Sequence, residues 1–216
     1  MATNINRLLL TALVLCAGFI PANLPARGAS TAPGKYEDWN DLDHIQIMQP
    51  FAIANYKSIV VAPVTSKGAE LPESSDNSYK PIMDALGKMT ATFANGVAKE
   101  APRGLSVTEG TAAGAGALLI KARVTLVHPG SEAARHFGGI AGMAGGAASV
   151  GMAGEVIDGK TKKVLFTFQQ ERRSGANSGG VFGLGNRGDN NPYARLVNRS
   201  AQQIGNDIAE ALKAFK

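Results

Sequence analysis

The segment Gly154-Glu155-Val156-Ile157-Asp158-Gly159-Lys160-Thr161 fits the pattern G-x-x-x-x-G-K-[ST]. In a phosphate loop that spacing lets backbone N–H groups and the lysine ammonium surround phosphate oxygens. It works where the loop follows a strand and opens a helix whose first N–H groups face the anion. Here the next residues, Lys163-Val164-Leu165-Phe166-Thr167-Phe168, are strand-like, and Glu155 and Asp158 would set carboxylates beside the phosphates. The segment therefore reads as a β-hairpin with Asp158 and Gly159 as its turn residues, and it requires no nucleotide.

Other chemistry-bearing residues do not gather. His44, His128 and His136 share no metal-ligand spacing, no Ser/His/Asp set can be assembled, and Cys16 is the only cysteine. The sequence thus predicts no catalytic residue, no metal site and no cofactor, and a fold without a disulfide. Arg172-Arg173, at a strand end, reads as a solvated pair. Gly138, Gly142 and Gly146 recur at every fourth position in an uncharged run from Phe137 to Gly154. Small residues so spaced let helices approach closely in lipid; the alternative is a glycine-rich turn feeding a strand.

The elements that must position these residues follow from periodicity. Ser58–Val64 is short and β-branched and reads as a buried strand. Pro81 opens a helix whose Ile82, Leu86, Met89, Phe93 and Val97 form one apolar face, stopped at Ala101-Pro102. Gly104 to Thr108 can form a short strand. In Ala117–Val127, Leu119, Lys121, Arg123 and Thr125 oppose Ile120, Val124 and Leu126, which predicts a strand with one face partly wet. Two strands flank the Asp158–Lys162 turn. From Pro192 a second helix carries Leu196, Ile204, Ile208, Leu212 and Phe215 on one side. The sum is an α/β (α+β) domain, a mixed sheet of about five strands with two amphipathic helices packed on one face.

At the other end of the chain, Asn6-Arg7, the apolar run Leu8–Ile20, Pro21 and small residues at Ala22, Ala26 and Ala29 have the order of a secretory signal. The run is shorter than the about 20 residues that a permanent spanning helix needs. Cleavage after Ala22 or Ala26 is favoured. Leu13-Val14-Leu15-Cys16 is the alternative, lipidation at Cys16, although Leu15 stands where a small residue is expected. The expected organisation is a signal peptide over 1–26, a linker over 27–44 with Trp39 in a surface lead-in, and one α/β domain over 45–216. The expected address is the periplasm or the outer membrane.

The net charge of +5 includes Arg7 and Arg27 of the leader region, and is too weak to argue for nucleic acid. Acids dominate from Lys35 to Gly110 and bases after Thr111. A basic second half could favour an anionic envelope surface, or be only a solvated face.

From Ile59 to about Leu212 the order of features resembles a domain-of-unknown-function family of exported bacterial proteins and lipoproteins. The residues carrying the resemblance are Pro129-Gly130-Ser131-x-x-x-Arg135, the glycine run after it, the strand through Val156-Ile157-Asp158 with Gly159 and Val164, and Ile204-Gly205-Asn206-Asp207-Ile208-Ala209. The resemblance implies a compact α/β domain like those of envelope-assembly lipoproteins, and brings no catalytic residue. The function that follows is a non-enzymatic envelope module binding another envelope protein or polymer. Its contact residues would lie among Ser131, Arg135, Gly138, Gly142 and Gly146, and a second glycine-rich stretch, Ser174 to Asn191, would add to the surface. A membrane-associated oligomer using the 138–154 segment, and an enzyme of unrecognised type, are the alternatives.

Overall fold

The computed structural model describes residues 30–130, 148–173 and 191–216. The fold is α+β. The strands are β1 (Gly34–Trp39), β2 (Leu42–Ile47), β3 (Ser58–Val61), β4 (Ser106–Glu109), β5 (Ala117–His128), β6 (Ser149–Asp158) and β7 (Val164–Arg173). The helices are α1 (Tyr79–Leu86), α2 (Met89–Glu100) and α3 (Pro192–Leu212). One mixed sheet runs in the order β1-β2-β7-β6-β5-β3-β4. From β1 to β5 each neighbouring pair is antiparallel; β3 runs parallel to both β5 and β4.

Two strands more than expected come from residues 34–47, most of which the sequence placed in a linker. Polar side chains mask the pattern there. Lys35, Glu37 and His44 alternate with Tyr36, Ile45 and Ile47, as in a sheet with one face in water. Trp39 is no surface lead-in but 4% exposed. Its indole Nε1 donates to the Ser30 carbonyl at 3.1 Å and its ring lies 5.5 Å from that of Phe215. Phe215 also stacks on Phe51 at 4.2 Å and on Phe166 at 5.5 Å, so the region after α3, β7 and the segment after β2 close one aromatic cluster.

The helix expected from Pro81 starts at Tyr79 and breaks in two. Pro81 lies in the first turn, where its missing N–H costs nothing. At Gly87 and Lys88 the chain leaves the α-helical path, Lys88 donating its N–H to the Ala85 carbonyl at 3.0 Å. Gly is the weakest ordinary helix former. The apolar stripe nevertheless continues across the break: Ile82, Ala85, Met89, Phe93 and Val97 are all buried. Asn191 caps α3, its Oδ1 accepting from the Tyr193 N–H at 2.9 Å, with Pro192 in the first position. The helices α2 and α3 meet backbone to backbone. A Cβ on Gly205 would lie 2.5 Å from the Phe93 carbonyl oxygen, and one on Gly96 would strike the backbone of Gln202.

The helices cover one face of the sheet, where the main core lies. On the other face a small apolar group around Leu119 and Ile157 gives way to Lys121, Arg123, Glu155 and Gln169. β5 is thus wet on the face that its alternation indicated. A bulge between Val124 and Leu126 then resets the alternation, and Val127, not Leu126, is buried.

Candidate functional site

The phosphate-loop match is a hairpin. Asp158 ends β6, and β7, not a helix, follows the turn. The Asp158 carboxylate is occupied. Oδ1 accepts from the N–H groups of Lys160 (3.0 Å) and Thr161 (2.5 Å) and from the Thr161 hydroxyl (2.8 Å), and Oδ2 accepts from the Tyr56 hydroxyl at 2.8 Å. These bonds, led by the Thr161 N–H, hold Asp158 below the ordinary carboxylate range. Burial, with Asp158 beside it, pushes the Tyr56 phenol far up. Lys160 is exposed. Lys162, with φ of 60°, turns back so that Nζ donates to the carbonyls of Ala113 (2.6 Å) and Gly159 (2.5 Å). The backbone N–H groups of the turn are taken up within the fold, so it builds no cradle for phosphate oxygens.

The opposite end of the sheet brings together what the sequence kept apart. β5 ends at His128, β6 begins at Ser149 and β7 ends at Arg173, and these three residues lie side by side, Ser149 pairing with both. The chain before and after both glycine-rich stretches therefore belongs to three adjacent strands and the start of α3. Charged groups fix this end. Arg173 Nε donates to Glu171 Oε1 at 3.0 Å, and Arg173, with Ser149, holds the Glu171 carboxyl below its ordinary range. The Glu171 N–H donates to Asp43 Oδ2 at 2.6 Å, and the Asp43 N–H to Gln170 Oε1 at 2.7 Å. Gln170 is 3% exposed, and its Nε2 has no hydrogen-bond partner among the described residues.

Of the arginine pair expected to be solvated, only Arg173 is so placed. Arg172 Nε donates to Asp207 Oδ2 on α3 at 2.9 Å. Burial pushes the Asp207 carboxyl up, Arg172 opposes this, and Asp41 and Asp43 add to the rise. Sequence inspection could not pair Arg172 with Asp207, because the partners lie on different elements and α3 is set by packing.

Ser131, Arg135, Gly138, Gly142 and Gly146, together with Cys16 and the whole 1–26 leader, lie outside the described residues, as does 174–190 of the second glycine-rich stretch. One reading of the first stretch is nevertheless narrowed. Ser149 to Gly154 belong to β6, so no single helix runs from Phe137 to Gly154. Among the described residues no helix is long and apolar enough to cross a membrane, and no group of His, Cys, Asp and Glu is placed to hold a metal ion. His44 is exposed, 4.0 Å from Glu37. His128 Nδ1 accepts from the Gly130 N–H at 3.2 Å.

No family model and no curated protein matches the chain. Several solved structures do. A variant of the PelC dodecamer from Paraburkholderia phytofirmans is 12% identical over 77% of this chain and 95% of that one, with a TM-score of 0.42. A Xanthomonas campestris protein assigned to the family DUF330 is 10% identical over 70% and 82%, with a TM-score of 0.38. The lipoprotein GNA1162 of Neisseria meningitidis is 15% identical over 61% and 86%, with a TM-score of 0.31. At such identities and scores the likeness transfers no residue role and no partner.

Proposed function

We propose that the chain is a non-enzymatic module of the cell envelope that binds another envelope protein or polymer at the end of the sheet built from His128, Ser149 and Arg173. One observation carries the reading: the flanks of two separate glycine-rich stretches converge on three neighbouring strands. Segments that leave a rigid sheet side by side can meet one partner together, and recognition commonly resides on connections held by such a scaffold. The leader supports an exported address, with release at Ala22 or Ala26, or lipidation at Cys16, as the two routes to it.

Photo-crosslinking in cells from position 135, and from position 187 in the second stretch, tests the reading. The expected result is one shared envelope adduct that is lost on Arg135→Ala or on deletion of either stretch. Adducts unchanged by all three alterations would refute it. Mass spectrometry of the mature protein from membrane and soluble fractions reads the cleavage site and any lipid together.

A further inference from the structure

The two ends of the sheet differ in charge. Around the glycine-flanking end acids and bases are mixed: Asp38, Asp41 and Asp43 lie there with Glu171 and Asp207, which pair with Arg173 and Arg172, and Arg195 and Arg199 stand on the first turns of α3. The other end, where β6 turns into β7 and where β3, β4 and β5 begin, is basic. The hairpin contributes Lys160, Lys162 and Lys163. Lys57 directly precedes β3, whose Ser58 pairs with both Ala117 and Ser106, and Arg103 lies just before β4. Lys213 and Lys216 follow α3, and Lys213 reaches Glu100 at 3.4 Å and Glu210 at 2.6 Å. The acids here are engaged: Glu100 and Glu210 by Lys213, Asp158 by Tyr56 and the turn. Lys57, Arg103, Lys160 and Lys163 are exposed. Met48, whose N–H donates to the Leu165 carbonyl beside the hairpin, is 49% exposed. Between Arg103 and Lys213 the surface dips into a groove floored by Ile53, Ala101 and Leu105.

We infer that this end is a docking surface for a membrane of anionic phospholipids, with the glycine-flanking end turned away from the bilayer. Charge complementarity carries the inference. The cations come from four separate places in the chain and spread across an end of the sheet, which suits many mobile headgroups better than one fixed anion. Exposed Met48 and the apolar groove sit among them, as a surface that meets the headgroup boundary requires. Each basic residue close to an anionic surface strengthens binding by about fivefold, an effect that salt screens.

Vesicle flotation of the full chain tests this. Vesicles mixing phosphatidylglycerol with phosphatidylcholine are compared with phosphatidylcholine alone, at low and high salt. The leader, with Arg7 and Arg27, is common to every arm, so the difference between the variants reports the basic end. Anionic vesicles should retain the protein at low salt and release it at high salt. The combined variant Lys57→Gln, Arg103→Gln, Lys160→Gln, Lys163→Gln should lose about fivefold per cation removed. A variant of equal charge loss elsewhere, Lys67→Gln, Lys80→Gln, Lys121→Gln, Arg123→Gln, should retain binding. Equal binding by the parent and the first variant would overturn the inference, as would equal loss in both variants. Full competition by soluble glycerophosphate would show a single-anion site, and tighter retention on heparin than on vesicles a polyanion site; either would overturn it too. Failure here leaves the crosslinking result at position 135 untouched, and the reverse also holds.

Discussion

Arg172 on β7 donates from Nε to Asp207 on α3 at 2.9 Å, where the Asp207 side chain is only 14% exposed. The pair ties the last helix to the strand end beside Ser149. Removing the guanidinium leaves a carboxylate that is largely shielded from water. Arg172→Ala should therefore cost about 1–3 kcal/mol, and Arg172→Ala with Asp207→Asn less than Arg172→Ala alone, by urea denaturation. The pH dependence has a definite sign. Because the folded Asp207 carboxyl lies above its ordinary range, the folded state binds the proton more tightly, so its contribution to stability falls as pH rises from the ordinary to the raised value. Without Arg172, which opposes the rise, that decline should extend to higher pH.

Asp158 behaves in the opposite sense. Held low by the turn N–H groups and Tyr56, it stabilises the fold above the ordinary carboxylate range, and that contribution is lost as pH falls through its depressed value. Asp158→Asn should lower the urea midpoint at neutral pH and flatten the acid limb of the stability profile. A variant with an unchanged acid limb would contradict the assigned bonds.

Within the same turn two lysines should part company. Lys160→Ala, at an exposed side chain, should change stability by less than about 0.5 kcal/mol. Lys162→Ala removes the donor to the Ala113 and Gly159 carbonyls and should cost about 1–2 kcal/mol. Neither variant nor parent should retain ATP in equilibrium dialysis; stoichiometric binding dependent on Lys160 would restore the phosphate-loop reading.

Gly205→Ala should be among the most damaging single-methyl additions in the chain. Its Cβ would sit 2.5 Å from the Phe93 carbonyl oxygen and 2.9 Å from the Val97 nitrogen, both backbone atoms of a packed helix. Forcing α2 from α3 should cost about 1–3 kcal/mol or more, read as a drop in thermal midpoint.

Phe215→Ala should cost about 3–5 kcal/mol by opening the cluster of Trp39, Phe51 and Phe166. Trp39 is the only tryptophan, so its fluorescence reads this region alone. Emission should be blue-shifted in the parent and move to the red in the variant before global unfolding.

Some elements are legible in the sequence and others are not, for physical reasons. β5 and its wet face, the 158–163 hairpin and both helical stripes were legible, because alternation and 3.6-residue spacing report burial directly. β1 and β2 were not, since Lys35, Glu37 and His44 occupy their open face and dilute the apolar signal. The bulge at Thr125 was invisible too, as nothing in ALLIKARVTLVH announces an extra residue. Of the candidate site, the glycine-rich stretches could be seen as segments. Their common origin beside Ser149 could not, because it depends on β6 returning between β5 and β7. The Asp207 partner of Arg172 was hidden by the same long-range order.

The place of β2 in the sheet has a consequence in time. The Asp43 N–H meets its acceptor on Gln170, 127 residues further along the chain. A chain that emerges from its amino-terminal side, from a ribosome or through a translocation channel, presents β1 and β2 long before β7 exists to receive them. The hairpin must wait as a solvated ribbon, marginal by itself. Closure is then a late, non-local event, which makes for slow folding. Chains truncated before Val164 should give no protected amides in β2 by hydrogen exchange, whatever structure the middle of the chain has already gained.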